Sequence, residues 1–592
     1  MPKNKVTKVI GGSFLLEQIE SNSIVTPEDI TDEQQMMVDM TSEFVARELI
    51  PNEEQLENLD YELTIKLLRK ASEVGLLGVD IPEQYGGLNL AKVTSTYISE
   101  ILGRTSSFVY SIGTQTGIGS LPIVYFGTHE QKQKYLPDAV TGSKIFAYCL
   151  TEPSSGSDAL GAKSTAALSA DGKHYILNGS KVFITNGGIA DVFIVYAKVD
   201  AKHFSAFIVE KGMPGFTIGP EEKKMGLKAS STCPLFFDNV HVPVENLLGE
   251  VGKGHLIAFN ILNLGRHKLP TNSLGAAKEA LELSTIYAKS RLQFGTQIVN
   301  FPLIAKKLAE MNILIYALET MVYRTAGLFD QVLNEVNHSN EDTGAVPASA
   351  IAEYTIECSI NKVFGTEVLD YVVDEGVQIH GGYGFTKDYK IERMYRDSRI
   401  TRIFEGTNEI NRLIIPGTLL KKALKGELPL LKEIERFQEM DIESRYLFDE
   451  ILDQETYLES AAKKIFLMIA GIAYKKYQSS IEKEQEVMAN LADILIQIYA
   501  MNGVLLRTKK MIEKDGEERT KNAIQMTQVF IHEAFDKVEA IAKEAIATME
   551  TGEGLQRQLI LLGKISDRLP INVTALKRQI AERVSQEDKY VI

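Results

Sequence analysis

Tyr148-Cys149-Leu150-Thr151-Glu152-Pro153-Ser154-Ser155-Gly156-Ser157-Asp158 is where this chain changes character: an aromatic and apolar run gives way to hydroxyls, a proline and a glycine. A strand that ends in an ordered loop reads this way. Upstream, from about residue 30 to 145, the pattern is helical. Thr31 with Gln34 three residues on forms a capping box, and Met37, Met40, Phe44 and Val45 recur at helical spacing. Pro82-Glu83-Gln84-Tyr85-Gly86-Gly87 interrupts that pattern as a loop between helices. Downstream, the stretches 192–199 and 204–209 are short, β-branched and aromatic, and Asp171-Gly172, Asn186-Gly187-Gly188 and Gly212-Met213-Pro214-Gly215 supply turns. After Gly252 and Gly254 the helical period returns, as at Ile356, Ile360 and Val363 before Leu369, and runs to about 425. A last region, rich in Lys and Glu, carries Leu491, Ile494, Leu495 and Ile498 on one helical face. The expectation is a mainly α chain with a central β-domain: helical domain 1–145, middle β-domain 146–255, helical bundle 256–425 and an additional helical domain 430–592.

Composition narrows the function classes. The chain has 592 residues, 44% hydrophobic and 24% charged, which suits a sizeable globular core and rules out collagen, coiled coil and disorder. Its formal net charge of -15 argues against nucleic acid as a partner. Cys149, Cys233 and Cys358 are far apart with no C-x-x-C pair, which speaks against a disulfide framework or a cysteine zinc site, so no metal is expected. Lys3, Lys5 and Lys8 precede a short apolar run broken by Gly11 and Gly12, which reads as a docked or stray arm rather than a signal peptide. No stretch reaches the roughly 18 to 20 continuous apolar residues of a membrane span. Together these point to a soluble, intracellular protein, with a bacterial-type cytoplasmic location.

Four stretches bear residue types suited to chemistry. The 148–158 loop can offer hydroxyls and backbone N–H groups to a polar ligand, and it equally suits a solvent-exposed Ser/Gly loop. In Lys181-Val182-Phe183-Ile184-Thr185-Asn186, strand alternation puts Phe183 and Thr185 on one face, where a flat ligand could stack on the ring and accept from the hydroxyl; taken alone, Phe183 suits a core equally. Gln378-Ile379-His380-Gly381-Gly382-Tyr383-Gly384-Phe385 places three glycines at a helix end, where backbone can approach a ligand closely, and His380 there reads as a base or as a capping or core histidine. Glu405 lies between Ile403-Phe404 and Gly406, ahead of Thr407-Asn408-Glu409, which opens a helix. An apolar setting raises a carboxylate from about 4.3 toward neutrality, which makes it a usable general base. The same position also suits a glutamate that complements a helix dipole.

In their order along the chain these stretches resemble the acyl-CoA dehydrogenase family over roughly 35 to 425, and specifically its longer, very-long-chain-type members with an added C-terminal helical region. The matching motifs are Leu150-Thr151-Glu152-Pro153 with Gly156-Ser157-Asp158, Lys224-Met225-Gly226-Leu227-Lys228-Ala229-Ser230-Ser231-Thr232, and Ser290-Arg291-Leu292-Gln293-Phe294-Gly295. Gln378-Ile379-His380-Gly381-Gly382 and Phe404-Glu405-Gly406-Thr407-Asn408-Glu409 complete them. The resemblance implies an N-terminal helical domain, a middle β-barrel-like domain and a C-terminal four-helix bundle, with FAD bound where the domains meet. Tyr148, Leu150, Thr151, Ser157, Phe183, Ile184 and Thr185 would hold the flavin ring. Arg291, Leu292, Gln293 and Phe294 with Gln378, Ile379, His380, Gly381 and Gly382 would hold the pyrophosphate and adenine across a subunit interface, and Thr407, Asn408 and Glu409 would complete the cofactor site. Glu405 matches the catalytic base, which takes the α-proton of a fatty acyl-CoA while hydride leaves the β-carbon. Ser157, Asn263, Leu264, Gly265, Arg266 and Gly406 match substrate-contacting positions. The implied partners are a fatty acyl-CoA, an electron-transfer flavoprotein and a second copy in a homodimer.

Two departures stand out. Position 183 is commonly Trp in the family, and this chain has no Trp. Some branches place the base near 263–265, where no carboxylate stands here. The small residues of Gln115-Thr116-Gly117-Ile118-Gly119-Ser120-Leu121-Pro122 would leave room for a long acyl tail. The alternatives that share this fold are an acyl-CoA oxidase and a respiratory-complex assembly protein. In the added region, the apolar run 465–474 flanked by Lys463-Lys464 and Lys475-Lys476 suits either peripheral membrane contact across 463–476 or burial with snorkelling lysines.

Overall fold

The computed structural model describes residues 9–105, 107–338, 350–440 and 448–592. The capping box forms as the sequence spells it: Gln34 N donates to Thr31 Oγ1, and Thr31 N donates to Gln34 Oε1, at the start of the helix Asp32–Phe44. Four further helices, Tyr61–Glu73, Lys92–Gly103, Phe108–Thr114 and His129–Thr141, complete the main helical elements before the sheet.

Eight strands follow: β1 (Phe146–Cys149), β2 (Thr165–Leu168), β3 (His174–Thr185), β4 (Val192–Val199), β5 (His203–Glu210), β6 (Phe216–Ile218), β7 (Thr232–Pro243) and β8 (Leu247–Leu248). They pair in the order β6-β7-β3-β2-β4-β5-β8, with β1 parallel to β4, so the path is open and ends at β6 and β8. The near-continuous apolar runs of β4 and β5 have a direct cause. Phe193, Val195, Phe207 and Val209 pack with Leu68, Val109 and Ile112 of the N-terminal helices. Val192, Ile194, Tyr196 and Ile208, on the opposite face, pack with Ile257, Phe329 and Tyr354. A sheet covered on both faces needs apolar residues at both parities.

Four long helices form the bundle: the first Gly254–Ser290, the second Pro302–His338, the third Thr355–His380 and the fourth Asn408–Leu424. The added region, with Asp453–Tyr477, Gln485–Asp515 and Lys521–Met549 as its longest helices, shares one continuous core with the bundle. Arg507, fully buried on Gln485–Asp515, pairs with Glu319 at 2.7 Å on the second bundle helix and with Glu28 at 2.5 Å near the N-terminus.

Two readings from the sequence are decided here. The arm is docked: Gly11 N and Gly12 N donate to Glu353 Oε1 and Glu357 Oε1 at 2.9 and 2.7 Å, and Phe14 meets Tyr499 edge-on. Lys3, Lys5 and Lys8 lie outside the described residues. The 465–474 run takes the burial reading, because Ile465, Phe466, Met468, Ile469 and Ala473 lie in the core; Lys463 pairs with Glu459, and Lys476 donates to Met549 O. That face is used up inside the protein, which removes the basis for membrane contact through 463–476. Among the described residues one helix, Gln485–Asp515, is long and apolar enough to cross a membrane, and most of its apolar window is buried against its neighbours. All three cysteines are buried and unpaired, and burial pushes their thiols up, Cys233 to about 12.

Candidate active site

The 148–158 loop is set by an ion pair that the sequence motif does not announce. Lys181, with no exposed surface on β3, donates to Glu152 Oε1 at 2.7 Å and to Leu150 O at 3.1 Å. Glu152 also accepts from the backbone N–H of Lys163 and Ser164, at 2.6 and 3.1 Å. Burial alone would raise its carboxyl, and the Lys181 ammonium holds it below the usual range. Val182 N donates to Thr151 O at 3.0 Å, so the loop lies along β3 and leaves Gly156, Ser157 and Asp158 exposed.

At the end of β3 the ladder with β7 slips by a residue between Lys181 and Ile184, a β-bulge. Phe183 sits in the bulge at φ +59° and is 65% exposed, Ile184 is buried, and Thr185 is half-buried. Phe183 and Thr185 thus share the outward side of the strand, and the ring stands free to stack.

Glu405 occupies the left-handed region at φ +57°, followed by Gly406 at +81°. A side chain held in that region is strained, and such strain concentrates at functional sites. The pair turns the chain into the fourth bundle helix, capped by Thr407 Oγ1, which accepts from Ile410 N. The Glu405 carboxylate lies against the first bundle helix at Gly265, where a methyl group would fall 2.7 Å from Oε2. Only glycine leaves that space. Arg266 Nε donates to Glu405 O at 3.2 Å, Arg266 Nη1 to Asn263 Oδ1 at 3.0 Å, and Asn263 Nδ2 to Thr355 Oγ1 at 2.9 Å.

Oε2 of Glu405 is buried with no hydrogen-bond partner among the described residues, and none of them accepts the backbone N–H of Glu405 or Gly406. Burial pushes the carboxyl up to about 7 against the pull of Arg266 and Lys362. Lys362, on the third bundle helix, is pushed down to about 7 by burial, with Glu405 opposing that shift. Its Nζ donates to Asn408 Oδ1 at 2.7 Å, and Asn408 Nδ2 donates to Thr366 Oγ1 and Glu367 Oε1. Buried Tyr148 stands near this group: burial pushes its phenol well up, and the Glu405 charge adds to that shift. Asn263, Gly265, Arg266 and Gly406 are therefore gathered around Glu405, while Leu264 packs against the apolar cluster of Ile257 and Ile261.

The remaining predicted residues form a second cluster. Arg291 follows the first bundle helix, and Leu292, Gln293 and the fully exposed Phe294 form a two-stranded turn, β9 (Leu292–Gln293) against β10 (Thr296–Gln297). Gln378, Ile379 and His380 form the last turn of the third bundle helix, and Gly381 and Gly382 leave it exposed, Gly381 at φ +60°. The two stretches meet: His380 stacks on Tyr287 at 4.2 Å, and the Arg291 guanidinium lies over Tyr383 at 5.7 Å. His380 is buried, paired with Gly376 O, and lowered by burial, which makes it a packing histidine here. Gly265 and Arg291 are 26 residues apart on this helix, roughly 39 Å along its axis. Thr407, Asn408 and Glu409 lie at the Glu405 end, with Thr407 acting as the cap and Asn408 buried as the partner of Lys362.

Sequence reading missed Lys362, Lys181 and Asp397. Asp397 accepts from Leu227 N and fastens the Lys224–Thr232 loop to the helix Lys390–Ser398; burial pushes it up to about 7. Each acts on a residue tens to hundreds of positions away, so no local pattern marks it.

Comparison with known proteins covers nearly the whole chain. Family models match for the acyl-CoA dehydrogenase N-terminal domain at residues 31–143, middle domain at 147–240, and C-terminal domain at 252–420, with a second C-terminal model at 461–564. The chain is 52% identical to a probable acyl-CoA dehydrogenase of Bacillus subtilis, over 98% of both chains. It is 34% identical to the human mitochondrial very long-chain specific acyl-CoA dehydrogenase, over 91% of this chain and 83% of that one. A crystal structure of an acyl-CoA dehydrogenase complexed with FAD from Bacillus anthracis superposes at a TM-score of 0.97, with 53% identity over 99% of this chain and 100% of that one.

Proposed function

Because this chain belongs to the acyl-CoA dehydrogenase family, we propose that its FAD-dependent α,β-dehydrogenation acts on long-chain fatty acyl-CoA in fatty acid β-oxidation, forms the trans-2-enoyl-CoA and passes electrons to an electron-transfer flavoprotein. The observation that carries this reading is the Glu405 carboxylate, pushed up to about 7, with a bare Oε2 beside Gly265.

The residues fit the cofactor. An exposed aromatic on a bulge beside a half-buried threonine gives a stacking face and a hydroxyl, and the open backbone at Gly381 with the Arg291 guanidinium suits a pyrophosphate. When bound, FAD supplies the acceptor for the hydride that leaves the β-carbon. In this reading the chain's own groups do the rest. Glu405 removes the α-proton. The backbone N–H of Glu405 donates to the thioester oxygen as charge builds there, an oxyanion-hole arrangement. Arg266 holds the turn in place through Glu405 O, and Lys362 with Arg266 keeps enough positive field nearby for the carboxylate to be ionised at neutral pH.

The long-chain preference rests on the very long-chain specific human relative and on the small residues at Gly113 and Gly117. The roughly 39 Å along the first bundle helix between Gly265 and Arg291 supports a homodimer reading, in which each site takes its adenine end from the partner subunit.

An anaerobic visible spectrum titrated with palmitoyl-CoA and then butyryl-CoA tests the reading. Bleaching of the flavin band by palmitoyl-CoA and not by butyryl-CoA is the expected result. Reoxidation by air as fast as by an electron-transfer flavoprotein would replace the dehydrogenase with an oxidase, and a colourless protein would favour an assembly role. Glu405→Gln is expected to keep the flavin band and to lose about two to four orders of magnitude in the reductive rate; near-normal turnover removes Glu405 from the role of base.

A further inference from the structure

Gly265, Lys268 and Asn272 lie at i, i+3 and i+7 on the first bundle helix and so share one face. Gly265 touches the Glu405 carboxylate. The other two line an internal cavity of about 20 Å³ between this helix, Lys92–Gly103 and Phe108–Thr114. Its walls are half aliphatic, from Leu, Ile and Val side chains, and half polar, from Asp80, Ser95, Ser99, Thr116, Lys268 and Asn272. Lys268 and Asn272 therefore stand about one and two turns along this face from the Glu405 contact.

Lys268 reaches across to the opposite wall, where Nζ donates to Thr116 Oγ1 at 2.6 Å, and it lies close to the position a side chain would take at Gly117. No carboxylate among the described residues stands within ion-pair distance of it: Asp80 pairs with Lys92 instead. Burial lowers Lys268 to about 8. Asn272, buried to more than nine-tenths, has an Oδ1 with no hydrogen-bond partner among the described residues. The cavity wall thus holds an ammonium with N–H groups to spare and a bare amide oxygen.

We propose that Lys268 and Asn272 form a subsite for a hydroxyl group on the distal part of the acyl chain, which makes hydroxylated fatty acyl-CoA thioesters preferred substrates over plain ones of equal length. This rests on the dehydrogenase reading above. A hydroxyl oxygen accepts from Lys268 Nζ while its O–H donates to Asn272 Oδ1, and the cavity has the volume of one such group. A methyl end answers neither group. A carboxylate end has no proton for Asn272 and faces the ionised Asp80.

The test uses the flavin-loaded, full-length protein and pairs of acyl-CoAs of equal length, plain and ω-hydroxylated, over a series of lengths. At one or more lengths kcat/KM for the hydroxylated member is expected to exceed that of the plain one by about tenfold or more. Lys268→Met and, independently, Asn272→Leu should bring that ratio to near one, with flavin content reporting that each variant is folded. Calorimetry on Glu405→Gln, which binds without turning over, should give the same ratio as a difference in Kd. Plain chains that are equal or better at every length, or a preference that survives both substitutions, overturns the subsite while leaving the dehydrogenase reading intact. If no acyl-CoA bleaches the flavin, the dehydrogenase reading itself fails and this inference falls with it.

Discussion

Glu405 is enclosed beside Arg266 and Lys362, with no hydrogen-bond partner on Oε2 among the described residues, so its protonation governs the chemistry. A base must be ionised to take a proton, so kcat/KM is expected to rise with pH through about 7 and then level off. Lys362 and Arg266 both pull the carboxyl down; Lys362→Met removes one of them and should move the rise to higher pH while the flavin remains bound. A rise at the same pH in both proteins would show that Lys362 acts on the fold alone. At this scale the sequence was partly legible. Ile403 and Phe404 announce an acid in apolar surroundings, which leaves a base and a helix-dipole partner equally open at Glu405; the family motif around it is what singles it out as the base. Lys362, 43 positions earlier on another helix, sets how far the shift goes, and only the folded chain brings the two together.

The elements hold that acid through close approach. The first bundle helix accepts a glycine in its interior at position 265, although Gly costs about 1 kcal/mol against Ala in a helix. The cost makes sense because the Glu405 carboxylate fills the space a side chain would need. Gly265→Ala should therefore stabilise the helix slightly and still lower kcat/KM by about tenfold or more, because it pushes the carboxylate from its place; thermal melting and steady-state rates on one preparation check both halves. The strands teach a different lesson. Strict alternation in 181–185 predicts the outward pairing of Phe183 with Thr185, and the structure has it. It has it through a bulge and a left-handed Phe183, which alternation does not reveal, since the extra residue is set by the register of β7. The loop ahead of β3 is similar: Thr151-Glu152-Pro153 looks like a turn with an acid in it, while the reason for the acid is Lys181 on the neighbouring strand.

On the scale of the whole molecule, the segmentation into helical, β and helical parts was readable from period changes near 146 and 254, because each change in hydrophobic period is a change in element type. The contacts between parts were not readable. Arg507 of the added region, Glu319 of the bundle and Glu28 near the N-terminus form one buried ion group, and the face of Tyr316 lies against the guanidinium at 4.5 Å. Glu319 keeps Lys278 and Tyr590 as partners when Arg507 is removed, so Arg507→Met is expected to cost about 1.5 to 3 kcal/mol for its lost charged hydrogen bonds. Because three parts of the chain meet there, calorimetry should show the bundle and added region still melting together, at a lower temperature. The exposed ring on the β3 bulge has a further use at this scale. Twenty-three tyrosines and no tryptophan leave the protein without indole emission. Phe183→Trp would give it a single indole at the position where the yellow cofactor is expected to stack. Emission from that lone indole, bright in the stripped protein and quenched as FAD is added back, would report loading of the site in real time without any substrate.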